Sequence, residues 1–462
     1  MRRIYIIGSL ALLFASCKPS VNITTAPVAG NADFSNYLAI GNSLTAGYTD
    51  GSLTVSGQLN SYPERLFEQF SMVQGVHGAK GPFIQPLLVS DNGYPGPKYV
   101  LGMTYNPCIP ADSSLGPISY PNWIMNPSDV TYTSPSNNGQ INNIAVPGIR
   151  VADYDVAGYG NYPAFVNANP YAARFYHNAG TASPLDELQY RVGNLYPTFF
   201  TMWLGANDVL GYATAGGVGD GTGAALPFPG TNIYNTNSIT PYDKFDSLYD
   251  KALNVAISTG AGGALINIPD ITNIPFFTTV PANGLILTRQ GQADTLNARW
   301  GLSKIFQVGA NYFIIQDNNG IRQAVPGELI LLTTPQSNFT CLGWGSTVAI
   351  PQQYVLTTDE IQNIRRATAS FNSFIQYEAT RHNLAYVDMN KYLSTITTGV
   401  TYNGIKYTAE FVTGGAFSLD GIHLTQRGYA MVANQVIAAI NAKYNSTVPS
   451  IDVNKYHGIN FP

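Results

Sequence analysis

A serine directly after a short apolar run, in Tyr37-Leu38-Ala39-Ile40-Gly41-Asn42-Ser43, and a histidine in Asp420-Gly421-Ile422-His423 stand near opposite ends of a 462-residue chain. If they cooperate, the fold must bring its opening strand and its last helix together. No cut between them then leaves a self-sufficient half. The chain is longer than one core usually grows before a protein divides into domains, so a single domain enlarged by insertions fits better than two domains in series. Together the residues supply a hydroxyl, a base and a carboxylate to orient the base, which an activated serine nucleophile requires.

The rest of the pattern predicts an α/β fold. Tyr37–Gly41, Ile141–Val146, Thr198–Leu204, Ala264–Ile268 and Leu384–Asp388 are short, apolar and unalternating, as strands of a buried parallel sheet are. Helical segments separate them. Ser61-Tyr62-Pro63-Glu64 reads as a capping box opening a helix to about Phe70. Thr240-Pro241 opens a second, with Phe245, Leu248, Tyr249, Ala252 and Val255 on one face. Residues 359–382 place Ile361, Ile364, Phe371, Phe374 and Ile375 at the same spacing, and Thr425 caps a last helix. Strands alternating with helices predict a three-layer α/β/α sandwich with a mostly parallel central sheet. Insertions near 74–140, 211–240 and 281–353 interrupt it. In an open parallel sheet ligands bind at the carboxyl ends of the strands, so these loops are expected to build a substrate pocket or to decorate the surface.

The N-terminus reads as a targeting segment. Arg2 and Arg3 precede the uncharged run Ile4–Ser16, which as a helix spans only about 20 Å against the roughly 30 Å of a hydrocarbon core. It ends in Phe14-Ala15-Ser16-Cys17, which resembles a bacterial lipoprotein signal with Cys17 as the lipidated residue; an ordinary secretory signal is the alternative. Residues 18–33 are expected to be a flexible tether and 34–462 a single catalytic domain. Charged residues make up 11% of the chain and the net charge is −4, with no basic stripe for nucleic acid. Cys108 and Cys341 are the remaining cysteines, and their spacing leaves a disulfide open. No His/Cys cluster has metal-ligand spacing, and no metal or other cofactor is expected.

Each candidate has an ordinary reading as well. Ser43 at a strand tip exposes its Oγ, yet serine also caps helices. Gly205-Ala206-Asn207-Asp208 ends a strand with a side-chain amide able to donate to an oxyanion, but Asn-Asp is also a common turn. Gly148, in Val146-Pro147-Gly148, offers a backbone N–H, a weak signal in a chain with 45 glycines. His423 is the one histidine of five with an aspartate three positions earlier; His77, His177, His382 and His457 have none. Asn267-Ile268-Pro269-Asp270 also follows a strand, without an evident chemical role.

In order, Gly41-Asn42-Ser43-Leu44, Gly148, Gly205-Ala206-Asn207-Asp208 and Asp420-Gly421-Ile422-His423 resemble the four blocks of the SGNH or GDSL serine hydrolases. Asn42 departs from that family's usual aspartate. There is no Gly-x-Ser-x-Gly elbow, which speaks against the α/β-hydrolase alternative. The resemblance implies a flavodoxin-like sheet and ester hydrolysis through Ser43, His423 and Asp420. It further implies an oxyanion hole of the Ser43 and Gly148 amides and the Asn207 side chain. The substrate would be an acylated glycan or a lipid ester, and the abundance of tyrosine (30 residues) and asparagine favours the glycan. The expected protein is a monomer, bound to a membrane only through its lipid. A non-catalytic surface lipoprotein that binds glycan or lipid is the alternative.

Overall fold

Four strands share one parallel sheet in the computed structural model, which describes residues 26–132, 140–164, 168–222, 236–301 and 305–461. They are β1 (Tyr37–Gly41), β2 (Phe199–Trp203), β3 (Gly262–Ile266) and β4 (Ala385–Val387), in the order β1-β2-β3-β4. Tyr37 pairs with Phe199, and Ala264 with both Thr201 and Ala385. β1 and β2 are buried at every position, as runs without polar alternation require.

Helices cover the sheet. Tyr62–Ser71 (α2) and Gln426–Tyr444 (α6) pack against each other, and Tyr242–Ala256 (α4) lies against Thr358–Arg381 (α5). Of the expected face of α4, Phe245, Leu248, Tyr249 and Ala252 are buried and Val255 is half-buried, and Phe245 stacks on Phe371 of α5 at 3.9 Å. The chain thus forms the α/β sandwich that its sequence pattern predicts.

Several expectations need correction. Ile141–Val146 runs parallel to β1 but forms only a bridge at Asn143. Backbone bonds still join Ala39 to Asn142 and Ile144, and Gly41 to Val146, and the Asn142 and Asn143 side chains add bonds to the carbonyls of Tyr37 and Thr45. Ser61 makes no side-chain cap to α2. Glu64 instead accepts from Gln85, and burial pushes its carboxyl up to about 7. Thr425 does cap α6, accepting from the Gly428 amide at 3.1 Å. The tether does not extend to residue 33. Gln74 donates to the Pro27 carbonyl, Val28 to the Thr447 hydroxyl and Asn31 to the Tyr444 carbonyl, while Ala29 and Ala32 are buried. The signal segment, Cys17 and residues 18–25 lie outside the described residues.

The insertions are more structured than their composition suggests. The first carries a hairpin of Tyr99–Asn106 and Ile109–Ser119. The third contains antiparallel ladders and a small core of Leu287, Leu296, Phe306 and Ile314. A Cys108–Cys341 disulfide joins the two, with Cα atoms 5.6 Å apart, which answers the question the spacing left open. The second insertion is described up to residue 222 and from 236. Among the described residues, no helix is long and apolar enough to cross a membrane.

Candidate active site

The carboxyl end of β1 turns at Asn42 into a one-turn helix, Ser43–Ala46 (α1). The cap is Asn42, whose Oδ1 accepts from the Leu44 amide at 3.0 Å. An amide oxygen therefore does what the aspartate expected here would do, and Ser43 is left with no capping duty. Its Oγ lies 2.8 Å from His423 Nε2. On the far side of the ring, His423 Nδ1 lies 2.7 Å from Asp420 Oδ2. A carboxylate at Nδ1 keeps the proton there, so Nε2 presents its lone pair to the serine hydroxyl. The two ends of the chain meet as the sequence requires.

Asp420 is surrounded by donors. Besides the imidazole, Oδ2 accepts from the Gly51 amide at 2.9 Å. Oδ1 accepts from the amides of Ile422 at 2.9 Å and His423 at 2.8 Å, and from the Ser418 hydroxyl at 3.0 Å. Burial alone raises its pKa, but the His423 imidazole and these amides reverse the effect and hold the carboxyl well below its ordinary range.

A brace behind this loop was not legible in the sequence. In the turn after α1, the Asp50 amide donates to Ser418 Oγ and Asp50 Oδ1 accepts from the Leu419 amide, both at 3.0 Å. Burial pushes the Asp50 carboxyl up to about 6. The Tyr48 ring rests on the His423 imidazole with centroids 4.5 Å apart. Tyr48 and Asp50 come close behind α1 in sequence, but nothing in the residues alone shows that the turn folds back on the histidine loop.

The third element starts where β2 ends. Gly205, at φ +108°, occupies backbone space where a Cβ would come within 2.5 Å of Ile268, so only glycine passes. Asn207 then opens a helix, Asn207–Thr214 (α3), and its Nδ2 donates to the Ile149 carbonyl at 2.9 Å, which leaves the amide's other N–H. Asp208 is fully buried and accepts from the amides of Val151 (2.8 Å) and Ala152 (3.2 Å) and from the Thr240 hydroxyl (2.7 Å). Burial raises its carboxyl to about 6 against these donors. Asn207 and Asp208 thereby pin the segment after Gly148, itself at φ +82°, to the end of β2, and Gly148 and Asn207 line the same cleft. The sequence marked Asp208 only as half of an Asn-Asp turn; its tie is to a distant segment.

Other residues have different work. Asn267 holds Asp388, Tyr386 and the Asn390 amide, so its motif is a joint between β3 and β4. His77, His177 and His382 meet Asp33, Glu187 and Glu378. Asp250, Glu378 and His382 bring ligand-type atoms within 4.8 Å of one another. There Arg381 already bridges Asp250 and Glu378, and His382 precedes β4, at the sheet edge opposite Ser43. Among the described residues, the hairpin of the first insertion and the ladders of the third line neither the hollow at Ser43 nor the one that adjoins it at Asn207. The lining comes from 42–44, 148–170, 206–214, 269–274 and 417–424, with Thr236 and Leu393.

No curated protein matches the chain. The sequence model of the GDSL-like lipase/acylhydrolase family matches residues 37–436, from the first residue of β1 into α6, and so spans Ser43, Gly148, Asn207, Asp420 and His423. With a match over most of its length and this parallel sheet beneath it, the chain belongs to the GDSL-like lipase/acylhydrolase family, whose chemistry is the hydrolysis of esters.

Proposed function

We propose that the protein is a serine esterase in which Ser43 is the nucleophile, His423 the general base and Asp420 the group that orients it. The observation that carries this reading is the unbroken hydrogen-bond chain from Ser43 Oγ through both ring nitrogens to Asp420. His423 takes the hydroxyl proton as Oγ attacks the ester carbonyl, and Asp420 stabilises the imidazolium that forms. The amides of Ser43 and Gly148 and the second N–H of Asn207 receive the oxyanion. His423 then returns the proton to the departing alcohol, and a water activated by the same base releases the acid.

The domain is proposed to act as a monomer, held at a membrane of the cell envelope by lipid on Cys17. Fluorophosphonate labelling and p-nitrophenyl acetate hydrolysis test the chemistry. The parent enzyme is labelled at Ser43, whereas Ser43→Ala loses the label and falls by on the order of 10⁵–10⁶ in kcat. Hydrolysis by Ser43→Ala at the parent's rate overturns the assignment. Cys17→Ala is expected to move the protein from the membrane to the soluble fraction on fractionation.

A further inference from the structure

Ser43 lines one hollow, and a second, different in size and lining, adjoins it at Asn207 and Leu210. The first, about 30 Å³, touches Ser43 and His423 and is walled by Leu44, Leu210, Ile271, Ile274, Phe417 and Ile422. At roughly 10–15 Å³ per water, it admits a methyl or ethyl group and no long chain. Its walls are tied down: Phe276, two residues after Ile274, donates to the Gly421 carbonyl at 2.9 Å and accepts from the Leu332 amide at 2.8 Å. The second hollow, about 430 Å³, opens from Gly148 and Asn207 and is lined by Arg150, Asp153, Tyr159, Asn169 and Thr214. That volume suits a ring-sized ligand.

Asn207 and Leu210, both on α3, line both hollows. An ester whose carbonyl oxygen meets Asn207 therefore has one substituent able to enter each. The larger side presents polar groups held in place. Arg150 Nη2 pairs with Asp153 Oδ1 at 2.6 Å, and the Asn169 side chain donates to the Pro147 carbonyl at 2.8 Å. Planar polar side chains fixed in this way suit neighbouring hydroxyl groups.

Resting on the esterase reading, we propose that the substrate is a short-acyl ester of a saccharide, its acetyl or propionyl group in the small apolar pocket and its sugar in the larger cleft. Oγ forms a bond to the acyl carbon and the carbon–oxygen bond to the sugar breaks. The sugar oxygen leaves with the proton carried by His423, and water then frees acetate and restores Ser43.

The test combines p-nitrophenyl acetate, butyrate and octanoate with acetylated xylan, on enzyme whose Ser43 takes a fluorophosphonate label. Each step up in chain length is expected to lower kcat/KM by about tenfold or more, and acetylated xylan is expected to release acetate. Ile274→Ala, which enlarges the small pocket, is expected to raise the butyrate-to-acetate ratio by about tenfold. Thr214→Trp, which narrows the cleft, is expected to raise KM for acetylated xylan by a larger factor than KM for p-nitrophenyl acetate. A labelled enzyme that prefers octanoate, or that releases no acetate from xylan, overturns the proposal while leaving the esterase standing. A folded enzyme unlabelled at Ser43 overturns the esterase itself.

Discussion

Asp420 and Asp208 are both buried aspartates that receive several hydrogen bonds, and their carboxyls are driven in opposite directions. Asp420 has the His423 imidazole at 2.7 Å and is held anionic far below its usual range. Asp208 has two amides, a hydroxyl and the charge of Arg150 acting to lower it, yet burial wins and raises it to about 6. Asp420 receives the ring N–H and four further donors where Asp208 receives three, and only the larger set outweighs the lost water. The loop 418–423 is thus built to keep a charge, and the 205–208 turn to hold two chain segments together.

The comparison breaks most sharply at Asp420. Asp420→Asn is expected to lower kcat by roughly 10⁴ with little change of KM, because the imidazole loses the tautomer it needs. Steady-state kinetics on p-nitrophenyl acetate read this directly. Asn207→Ala should cost about 10²–10³ in kcat, the usual loss for one oxyanion donor.

At Asp208 the expected damage is to the scaffold. Asp208→Asn should lower kcat by about tenfold and stability by about 1–3 kcal/mol, as the amides of Val151 and Ala152 lose their charged acceptor. Its pH dependence sharpens the contrast. The Asp208 carboxyl has its ordinary value of 3.8 raised to about 6 in the fold. Between those values the folded chain holds more protons than the unfolded one, so this group adds stability as pH falls from 6 towards 4. Asp420, with its folded pKa lowered, contributes fully above about 3.8, and that contribution is lost as pH falls further. Urea melts at pH 7 and pH 4.5 should show the gap between parent and Asp208→Asn widening at the lower pH. A gap that narrows would mean that the fold lowers the Asp208 carboxyl instead of raising it.

The smallest effect on catalysis is expected far from both aspartates. Replacing Cys108 and Cys341 by serine should leave kcat within about twofold and cost about 2–4 kcal/mol of stability. Among the described residues, the two insertions that the bridge ties line neither the hollow at Ser43 nor the cleft at Asn207.

The contrast also explains what the residues alone could tell. Ser43, Asn207 and the Asp420–His423 pair stood out because the chemistry proposed for them depends on short local spacing beside strand ends. The sheet was legible because fully buried strands read as unbroken apolar runs. Asp50 and Tyr48 were not, since their role depends on a turn meeting a loop at the other end of the chain. The Ile141–Val146 strand was misread for a related reason. Its apolar residues fit a ladder, and it does share backbone bonds with β1, but the pairing amounts to a single bridge at Asn143 braced by side-chain amides. The Ser61–Glu64 box failed because Gln85, from an insertion, claims the glutamate.

The docking of residues 27–31 onto the end of α6 shortens any leash from Cys17. Fewer than ten residues would remain between a lipid there and the first fastened backbone, no more than about 30 Å at full stretch. An enzyme moored by the proposed lipid on Cys17 could not roam. It would work on material lying against its own bilayer, and polymers farther out would have to come within its reach.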